Sequence, residues 1–256
     1  MINKKEIKYL SSLKQKKNRL LHNEILIEGS KLILDAIKHK QNIKKIIYSN
    51  KDERFKEIRN YAKKNNIIME LCSNKDSERI SDTKNSQQIF GQLKFNPPVK
   101  IDNNININDN IVIMDGISDP GNMGTILRTC SWFGFYNIMT THNSVELFNP
   151  KTVRSGMGAH FHMEKIYKDS IENIISFLEK NKYEIIASDL KGKSLKKYSI
   201  KNNKWALILG NEAHGISKKS IDSANTIINI DGEKTMESLN VADAASIIIH
   251  HLNQGK

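Results

Sequence analysis

The sequence predicts an α/β protein with two domains, a small N-terminal α/β layer and a C-terminal, mostly parallel sheet. Short apolar runs alternate with amphipathic helical patterns, as in chains built from βαβ units. The alternation is interrupted at residues 98–109, where a polar, asparagine-rich stretch follows Pro97. A chain of 256 residues is long enough for two domains of ordinary size. We therefore expect domains at residues 1–97 and 110–256, joined by a linker at 98–109.

The N-terminal part carries four short apolar runs that favour strands and two amphipathic patterns that favour helices. Apolar residues recur every three or four positions in the helical patterns, so one face of each helix can pack against the strands. The strands are expected at residues 24–29, 43–49, 67–71 and 87–95, and the helices at residues 30–40 and 52–65. These elements predict a small α/β domain.

The apolar runs of the C-terminal part are nearly continuous, whereas a half-exposed strand would alternate apolar and polar residues. Continuous runs are typical of a parallel sheet that is covered on both faces. The runs lie at residues 111–115, 136–141, 183–190, 205–212 and 226–230, and helical segments separate them. We therefore expect a mostly parallel sheet, and in such sheets ligands bind at the carboxyl ends of the strands.

The formal net charge of +12 is concentrated in the N-terminal part. Residues 1–97 contain 22 Lys and Arg against 11 Asp and Glu, whereas residues 98–256 contain 18 against 17. This asymmetry favours a polyanionic partner, nucleic acid before a membrane surface. The alternative is a lysine-rich composition without a function, but a general bias would not be confined to one part of the chain.

Other features argue against several classes of protein. Cys72 and Cys130 do not form a C-x-x-C pair, which favours a reducing compartment over a disulfide scaffold or a zinc site. The two histidine pairs, at positions 160 and 162 and at positions 250 and 251, lack a third ligand at metal spacing, so we expect no metal. No apolar run reaches about 18 residues, and the first residues contain no apolar signal region. We expect a cytoplasmic protein without a membrane span, with an organelle matrix as the alternative.

The stretch DGISDPGNMGTILRTCSWFG, residues 115–134, places much backbone freedom directly after a buried strand. Pro120 suits the first position of a helix, and the two glycines that follow it allow a ligand or a neighbouring chain to approach closely. The helix has an apolar stripe, and Arg128 falls on the opposite side. Taken alone, this arginine is typical of a solvated surface. Trp132 and Trp205 are expected in the core.

Two further loops follow predicted strands. The loop LILGNEAHGIS, residues 207–217, has the spacing G-x-x-x-x-G but lacks the lysine that a nucleotide-phosphate loop requires. What remains there is Glu212, at the tip of a buried strand. Ser238 and Asn240 lie at the start of a helix with an apolar body, which by itself indicates a capped core helix.

Together, the stretches DGISDPGNMGTILRTCSWFG, ALILGNEAHGIS and MESLNVADAAS resemble the three motifs of the SpoU/TrmH family of RNA ribose 2′-O-methyltransferases, in the SPOUT superfamily. Their order and spacing also agree, and the resemblance covers residues 110–256. The segment NRLLHNEILIEGSKLILDAI is similar to the RNA substrate-binding domain of many members, whose fold is related to ribosomal RNA-binding proteins.

The resemblance implies a SPOUT domain with a deep trefoil knot, an exception to the rule that chains do not thread loops. It also implies an obligate homodimer that binds S-adenosyl-L-methionine in the knot through Gly210, Ile230 and Leu239. Two departures weaken parts of this comparison. The sequence IDG at residues 230–232 stands where members often have Ile-Pro-Met, and Gly156 stands where a serine is common.

The resemblance also implies roles for five polar residues. Arg128 is the expected base for the ribose hydroxyl, but a guanidinium is normally always charged, so we expect it at least to anchor the target phosphate. Asn122, Glu212, Ser238 and Asn240 would orient Arg128, the hydroxyl and the loops.

The predicted activity is the methylation of a ribose 2′-hydroxyl in RNA. An rRNA substrate is favoured over tRNA because the N-terminal domain suits a structured RNA element. A non-catalytic RNA-binding or assembly protein on the same fold is the alternative from another class.

Overall fold

The computed structural model describes residues 2–50, 52–102, 105, 107–163, 165–233 and 236–254. The chain forms two compact units. The first unit comprises Met1–Pro97 and Phe148–Phe161, and the second comprises Pro98–Leu147 and His162–Lys256.

Strands and helices alternate along most of the described chain. The strands are β1 Glu24–Glu28, β2 Ile43–Tyr48, β3 Ile68–Leu71, β4 Ile89–Lys94, β5 Ile111–Asp115, β6 Asn137–Thr141, β7 Lys165–Asp169, β8 Glu184–Ser194, β9 Trp205–Gly210 and β10 Thr226–Asn229. The α-helices are α1 Lys4–Ser12, α2 Lys16–His22, α3 Ser30–Lys38, α4 Lys56–Lys64, α5 Asn74–Ile80, α6 Pro120–Trp132, α7 Pro150–Ser155, α8 Ile171–Lys180, α9 Lys218–Ser223 and α10 Val241–Asn253.

The first unit contains a four-stranded sheet in the order β1-β4-β2-β3. Strand β4 pairs antiparallel with β1 and β2, and β2 pairs parallel with β3. All four strands lie where the apolar runs predict them. Helix α1, which the sequence reasoning missed, packs Ile7 and Leu10 into a buried cluster with Ile47 and Phe90.

The segment Phe148–Phe161 belongs to the first unit although the sequence reasoning places it in the domain at residues 110–256. The ring of Phe148 stacks on Phe95 with 4.0 Å between the ring centres. Arg154 of α7 donates from Nη1 to Asp82 at 2.9 Å. A compact unit therefore takes a piece of chain from within the segment that the sequence assigns to the other domain.

The second unit contains a six-stranded sheet in the order β10-β8-β9-β5-β6-β7. Each strand pairs parallel with its neighbours, which confirms the predicted parallel sheet. The two middle strands, β5 and β9, are buried along their whole length. Strand β7 was not predicted, because its sequence KIYKD contains three charged residues and forms no apolar run.

Helices α6 and α10 lie side by side and run parallel. Thr129 contacts Ser246 through their hydroxyls at 3.0 Å, and four residues further along each helix the ring of Phe133 lies 5.8 Å from that of His250. The amino-terminal ends of both helices therefore lie at the same end of the pair.

The prediction that both tryptophans are core residues is confirmed for Trp205 and wrong for Trp132. Trp205 is buried at the start of β9, but Trp132 is 84% exposed at the end of α6. The helical period explains this difference, because Trp132 shares an outward face with the exposed Thr125 and Arg128. In the parts of the chain described above, no helix combines the length and apolar character needed to cross a bilayer.

Candidate active site

The site lies at the carboxyl edge of the parallel sheet of the second unit, where the loops after β5 and β9 meet. Asp115, the last residue of β5, pairs in register with Gly210, the last residue of β9. The loops that follow these two neighbouring parallel strands therefore begin side by side. This edge is where open parallel sheets bind ligands.

Helix α6 begins in the first of these loops. Pro120 occupies the first turn, and the side chain of Asp119 accepts a hydrogen bond from the backbone N–H of Asn122 at 2.9 Å. Proline has no N–H to lose there, and the aspartate caps an otherwise unpaired donor. The loop therefore ends in a fixed helix start that carries Asn122.

The carboxylate of Glu212 links the second loop to this helix start. One oxygen accepts from the backbone N–H and the hydroxyl of Ser118, at 3.2 and 3.0 Å. The other accepts from the backbone N–H of Asp119 at 3.2 Å and from Nδ2 of Asn122 at 3.0 Å. The glutamate thus accepts four hydrogen bonds from one turn of chain.

These bonds also set the charge of Glu212. Partial burial raises the pKa of a carboxyl, but the hydrogen bonds from Asn122 and from the backbone outweigh it and hold the pKa of Glu212 below its usual value. The side chain is therefore a carboxylate at neutral pH and an acceptor only.

Asn122 also forms a hydrogen bond with the third loop of the site, the one that precedes α10. Its Oδ1 accepts from Nδ2 of Asn240 at 3.1 Å, while Oδ1 of Asn240 accepts from the backbone N–H of Ala242 at 2.8 Å. Asn240 is the N-cap of α10. The structure therefore brings Glu212, Asn122 and Asn240 together in one chain of hydrogen bonds.

The loop after β9 folds back on Gly210. A Cβ at this position would lie 2.3 Å from the backbone nitrogen of Ile216 and 2.4 Å from the carbonyl carbon of Gly215, so a larger residue does not fit. Asn211 and Gly215 exchange two backbone hydrogen bonds of 2.8 and 2.9 Å across the turn. Nδ2 of Asn211 also donates to the carbonyl of Gly116 at 2.7 Å, which ties this turn to the loop after β5.

Asp115 supports the same turn and was missed by the sequence reasoning. Its buried carboxylate accepts from the backbone N–H of Ser217 at 3.1 Å and from the hydroxyl of Ser220 at 2.8 Å. The sequence does contain a signal, because an acid that ends a fully apolar strand needs buried partners. Asp115 positions the loop and does not point to a substrate.

The remaining predicted residues lie outside this network. Arg128 is exposed on α6, six residues beyond Asn122, and forms no hydrogen bond or ion pair with any residue that the structure describes. Six helical residues correspond to about 9 Å along the axis. Ser238 is also exposed and makes no hydrogen bond with the described part of the chain. One copy of the chain therefore assembles three of the five polar residues.

The residues predicted to hold the cofactor all lie near the carboxyl edge. Gly210 ends β9, Ile230 follows β10 and is half-buried, and Leu239 is exposed directly before α10. A turn that excludes a side chain at Gly210 and an exposed apolar residue such as Leu239 are both features that fit a ligand with a flat apolar ring and polar edges. At the unusual IDG sequence, the carboxylate of Asp231 accepts a hydrogen bond from the hydroxyl of Ser194.

A parallel sheet whose carboxyl edge gathers three polar loops is the arrangement in which open α/β proteins bind their ligands. Comparison with known proteins gives the family of this chain. The SpoU rRNA Methylase family matches residues 109–250, and the MRM3-like substrate binding domain matches residues 4–91. The chain belongs to the SpoU rRNA methylase family and is an RNA methyltransferase.

Relatives agree with this assignment, and a solved structure shares the fold. The chain is 26% identical over 247 residues to the 23S rRNA (guanosine(2553)-2′-O)-methyltransferase RlmP of Bacillus subtilis, covering 96% of this chain and 95% of that protein. It is 26% identical to the mitochondrial rRNA methyltransferase 3 of Mus musculus, covering 94% of this chain and 69% of that protein. The fold matches the structure of an AdoMet-bound rRNA methyltransferase from Sinorhizobium meliloti with a TM-score of 0.86 and 24% identity, covering 99% of this chain and 96% of that one.

The predicted family, α/β fold and class of enzyme are thus confirmed. The roles of the individual site residues, the trefoil knot and the domain boundaries stay predictions.

Proposed function

We propose that this chain transfers the methyl group of S-adenosyl-L-methionine to a ribose 2′-hydroxyl of rRNA. The observation that carries this proposal is the chain of hydrogen bonds from Glu212 through Asn122 to Asn240, which joins three loops at the carboxyl edge. The relative from Bacillus subtilis is named for the same reaction on 23S rRNA. A tRNA substrate and a non-catalytic RNA-binding role are the alternatives.

This reaction requires that the reacting atoms be aligned and that the ribose hydroxyl lose its proton. The hydroxyl oxygen forms a bond to the methyl carbon, the carbon–sulfur bond breaks with its electron pair remaining on sulfur as a neutral thioether, and the hydroxyl proton passes to solvent water. The sulfonium of the cofactor supplies an activated methyl group and a good leaving group. Holding the reacting atoms in line and removing the proton are left to the protein.

We assign Arg128 to the phosphate next to the target ribose. A guanidinium is planar, carries its charge at all ordinary pH values and binds phosphate through paired donors. Arg128 is exposed and has no partner among the described residues, so its donors are available to RNA. In this assignment the proton leaves with the assistance of the anchored phosphate, and Arg128 is not the base.

Asn122, Glu212 and Asn240 hold the loops around this point, and Ser238 contacts the substrate from the third loop. The fixed amide of Asn122 keeps the start of α6 at a constant distance from the turn after β9. Gly210, Ile230 and Leu239 would hold the cofactor, mostly through backbone groups. The enzyme uses no metal in this mechanism.

We further propose that the enzyme is a homodimer. The outward face of α6 exposes Trp132, and the neighbouring helix α10 exposes Ile247 at 43%. Large exposed apolar side chains on adjacent helices are typical of protein interfaces. A dimer through this face would place Arg128, which shares it, at the subunit boundary.

The cytoplasm is the proposed location, because the Bacillus subtilis relative acts on 23S rRNA. An organelle matrix is the alternative, and the relative from Mus musculus is a mitochondrial protein.

The test is methyl transfer from labelled S-adenosyl-L-methionine to purified RNA, followed by mapping of the modified nucleotide. We expect label in rRNA, at a ribose, and none in a transcript with a 2′-deoxy sugar at that position. Label in tRNA alone would support the first alternative. Cofactor or RNA binding without transfer to either RNA would support the non-catalytic one.

A further inference from the structure

The helical hairpin formed by α1 and α2, residues 4–22, contains seven of the Lys and Arg residues of the chain and a single acid, Glu6. We call it the lysine hairpin. Its net charge of +6 is about half of the excess positive charge of residues 1–97. The remaining charges of the first unit are more evenly mixed. A local excess of this kind marks a surface for a polyanion.

Two of the seven cations have structural partners. Arg19 is 2% exposed, and its Nη1 donates to the carbonyls of Leu13 and Lys14 at 2.9 and 2.6 Å. Lys14 donates from Nζ to the carbonyl of Arg79 at 2.8 Å and to that of Ser81. These bonds attach α2 to the end of α1 and attach the hairpin to the chain after α5.

The only acid of the hairpin is already paired. Glu6 accepts from Nζ of Lys45, which is also bonded to Glu70 at 3.0 Å. Five lysines remain, all exposed and without an ion pair among the described residues: Lys4, Lys5, Lys8, Lys16 and Lys17. Their charges are therefore available to a partner.

Helix α2, which carries Lys16 and Lys17, also exposes apolar side chains. Arg19 is the only buried residue of α2, whereas Leu20 and Leu21 are 45% and 69% exposed. Free lysines next to exposed leucines match single-stranded or looped RNA, which offers phosphates together with the flat faces of unpaired bases. Two leucines on a helix of seven residues offer little apolar area for insertion into lipid.

We propose that the lysine hairpin is the RNA-docking surface of the first unit. Its free lysines contact phosphates, and Leu20 and Leu21 pack against an unpaired nucleotide. This inference rests on the proposed RNA substrate and names the part of the first unit that binds it.

The test compares two matched pairs of lysines in the full-length protein. Lys16→Gln/Lys17→Gln removes two neighbouring charges from the hairpin, and Lys63→Gln/Lys64→Gln removes two equally exposed, neighbouring charges from α4. RNA affinity is measured across a salt series with a transcribed rRNA fragment that the wild type methylates. Each lost phosphate contact should reduce the salt slope by about 0.7–0.9, so the hairpin variant should lose about 1.5 from the slope and about tenfold in affinity at low salt. The α4 variant should stay within twofold.

A second comparison tests the leucines. Leu21→Ser should weaken RNA binding several-fold, and Ile68→Ser, an equivalent change at an exposed apolar residue of β3, should not. Binding of S-adenosyl-L-methionine should be unchanged in all four variants, which controls for folding.

Three results would overturn the inference. Equal losses in the hairpin and α4 variants would mean that RNA binds by total charge and not at the hairpin. Wild-type affinity and methyl transfer in Lys16→Gln/Lys17→Gln would refute the hairpin while the proposed function stands. If Lys16→Gln/Lys17→Gln lost binding to anionic phospholipid vesicles but kept wild-type RNA affinity, the hairpin would be a membrane-binding surface instead. By contrast, a wild type that methylates no RNA refutes the proposed function itself.

Discussion

Asn122 and Asn240 are 118 residues apart in sequence, yet Nδ2 of Asn240 donates to Oδ1 of Asn122 at 3.1 Å. Because Nδ2 of Asn122 donates to Glu212 at the same time, both ends of this amide are engaged and its orientation is determined. Substituting Asn122 therefore affects two loops at once.

Arg128→Ala separates binding from catalysis. The side chain is exposed, so stability should change by less than about 0.5 kcal/mol, and cofactor affinity should be retained. Methyl transfer should fall about 10²-fold or more, because the phosphate next to the target ribose loses its anchor and the hydroxyl is no longer held in line. Arg128→Lys should recover little, because it keeps the charge but not the planar donors. Calorimetry and a transfer assay measure both effects, and turnover within a few-fold of wild type would leave Arg128 as a solvated surface residue.

Glu212→Gln should change how stability depends on pH. The pKa of Glu212 lies below its ordinary value of 4.5, so its carboxylate stabilises the fold fully above that value and loses this effect as the pH falls through the lowered pKa. The variant should melt below wild type at pH 7, and the difference in melting temperature should shrink below pH 4.5 and vanish once the pH is below the lowered pKa. A difference that is constant from pH 3 to pH 7 would contradict the bonds described for this carboxylate.

Asp115→Ala should weaken cofactor binding without touching the cofactor. It leaves the partly buried backbone N–H of Ser217 without its acceptor, which costs about 1 kcal/mol, the lower end of the range for an unsatisfied donor. We expect a lower melting temperature and about tenfold weaker binding of S-adenosyl-L-methionine. Asp222→Ala, an exposed acid on α9, is the control and should behave as wild type. Unchanged affinity in a destabilised Asp115→Ala would limit this residue to the fold.

The dimer can be tested at its exposed apolar residues. The wild type should have a solution mass near twice that of the 29.3 kDa chain. Trp132→Glu should shift it to the monomer at micromolar concentration, because a charge would replace an apolar contact. Ile68→Glu, an exposed position in the first unit, should remain dimeric. Light scattering after gel filtration distinguishes these outcomes, and a fully active monomeric wild type would refute the dimer.

The buried strands could be predicted from sequence because burial on both faces leaves a continuous apolar run, as in β5 and β9. The edge strand β7 contains three charged residues and no such run, and the lysine-rich α2 buries nothing but Arg19. Both were missed for the same reason. An element that buries little apolar surface needs few apolar residues, so its sequence shows neither an apolar run nor a clear period.

The sequence predicts which residues belong to the candidate site but not how they contact one another. The polar residues of the three loops could be chosen by resemblance, but their mutual contacts depend on strand order, which pairs β5 with β9 across more than 90 residues. Asp115 was missed because its partners, Ser217 and Ser220, are more than 100 residues away. The exposure of Trp132 follows from its helical face, which composition does not reveal.

The long-range bonds of the site also have a kinetic consequence. Glu212 reaches Ser118 across 94 residues, and Asn240 reaches Asn122 across 118, so neither contact can form before large loops of chain have closed. Contacts between distant residues slow folding, whereas helices form early. During refolding from denaturant, helical signal should therefore return well before cofactor binding. A population of helical, compact but inactive chains should be present in between, and methyltransferase activity should report the last step of folding.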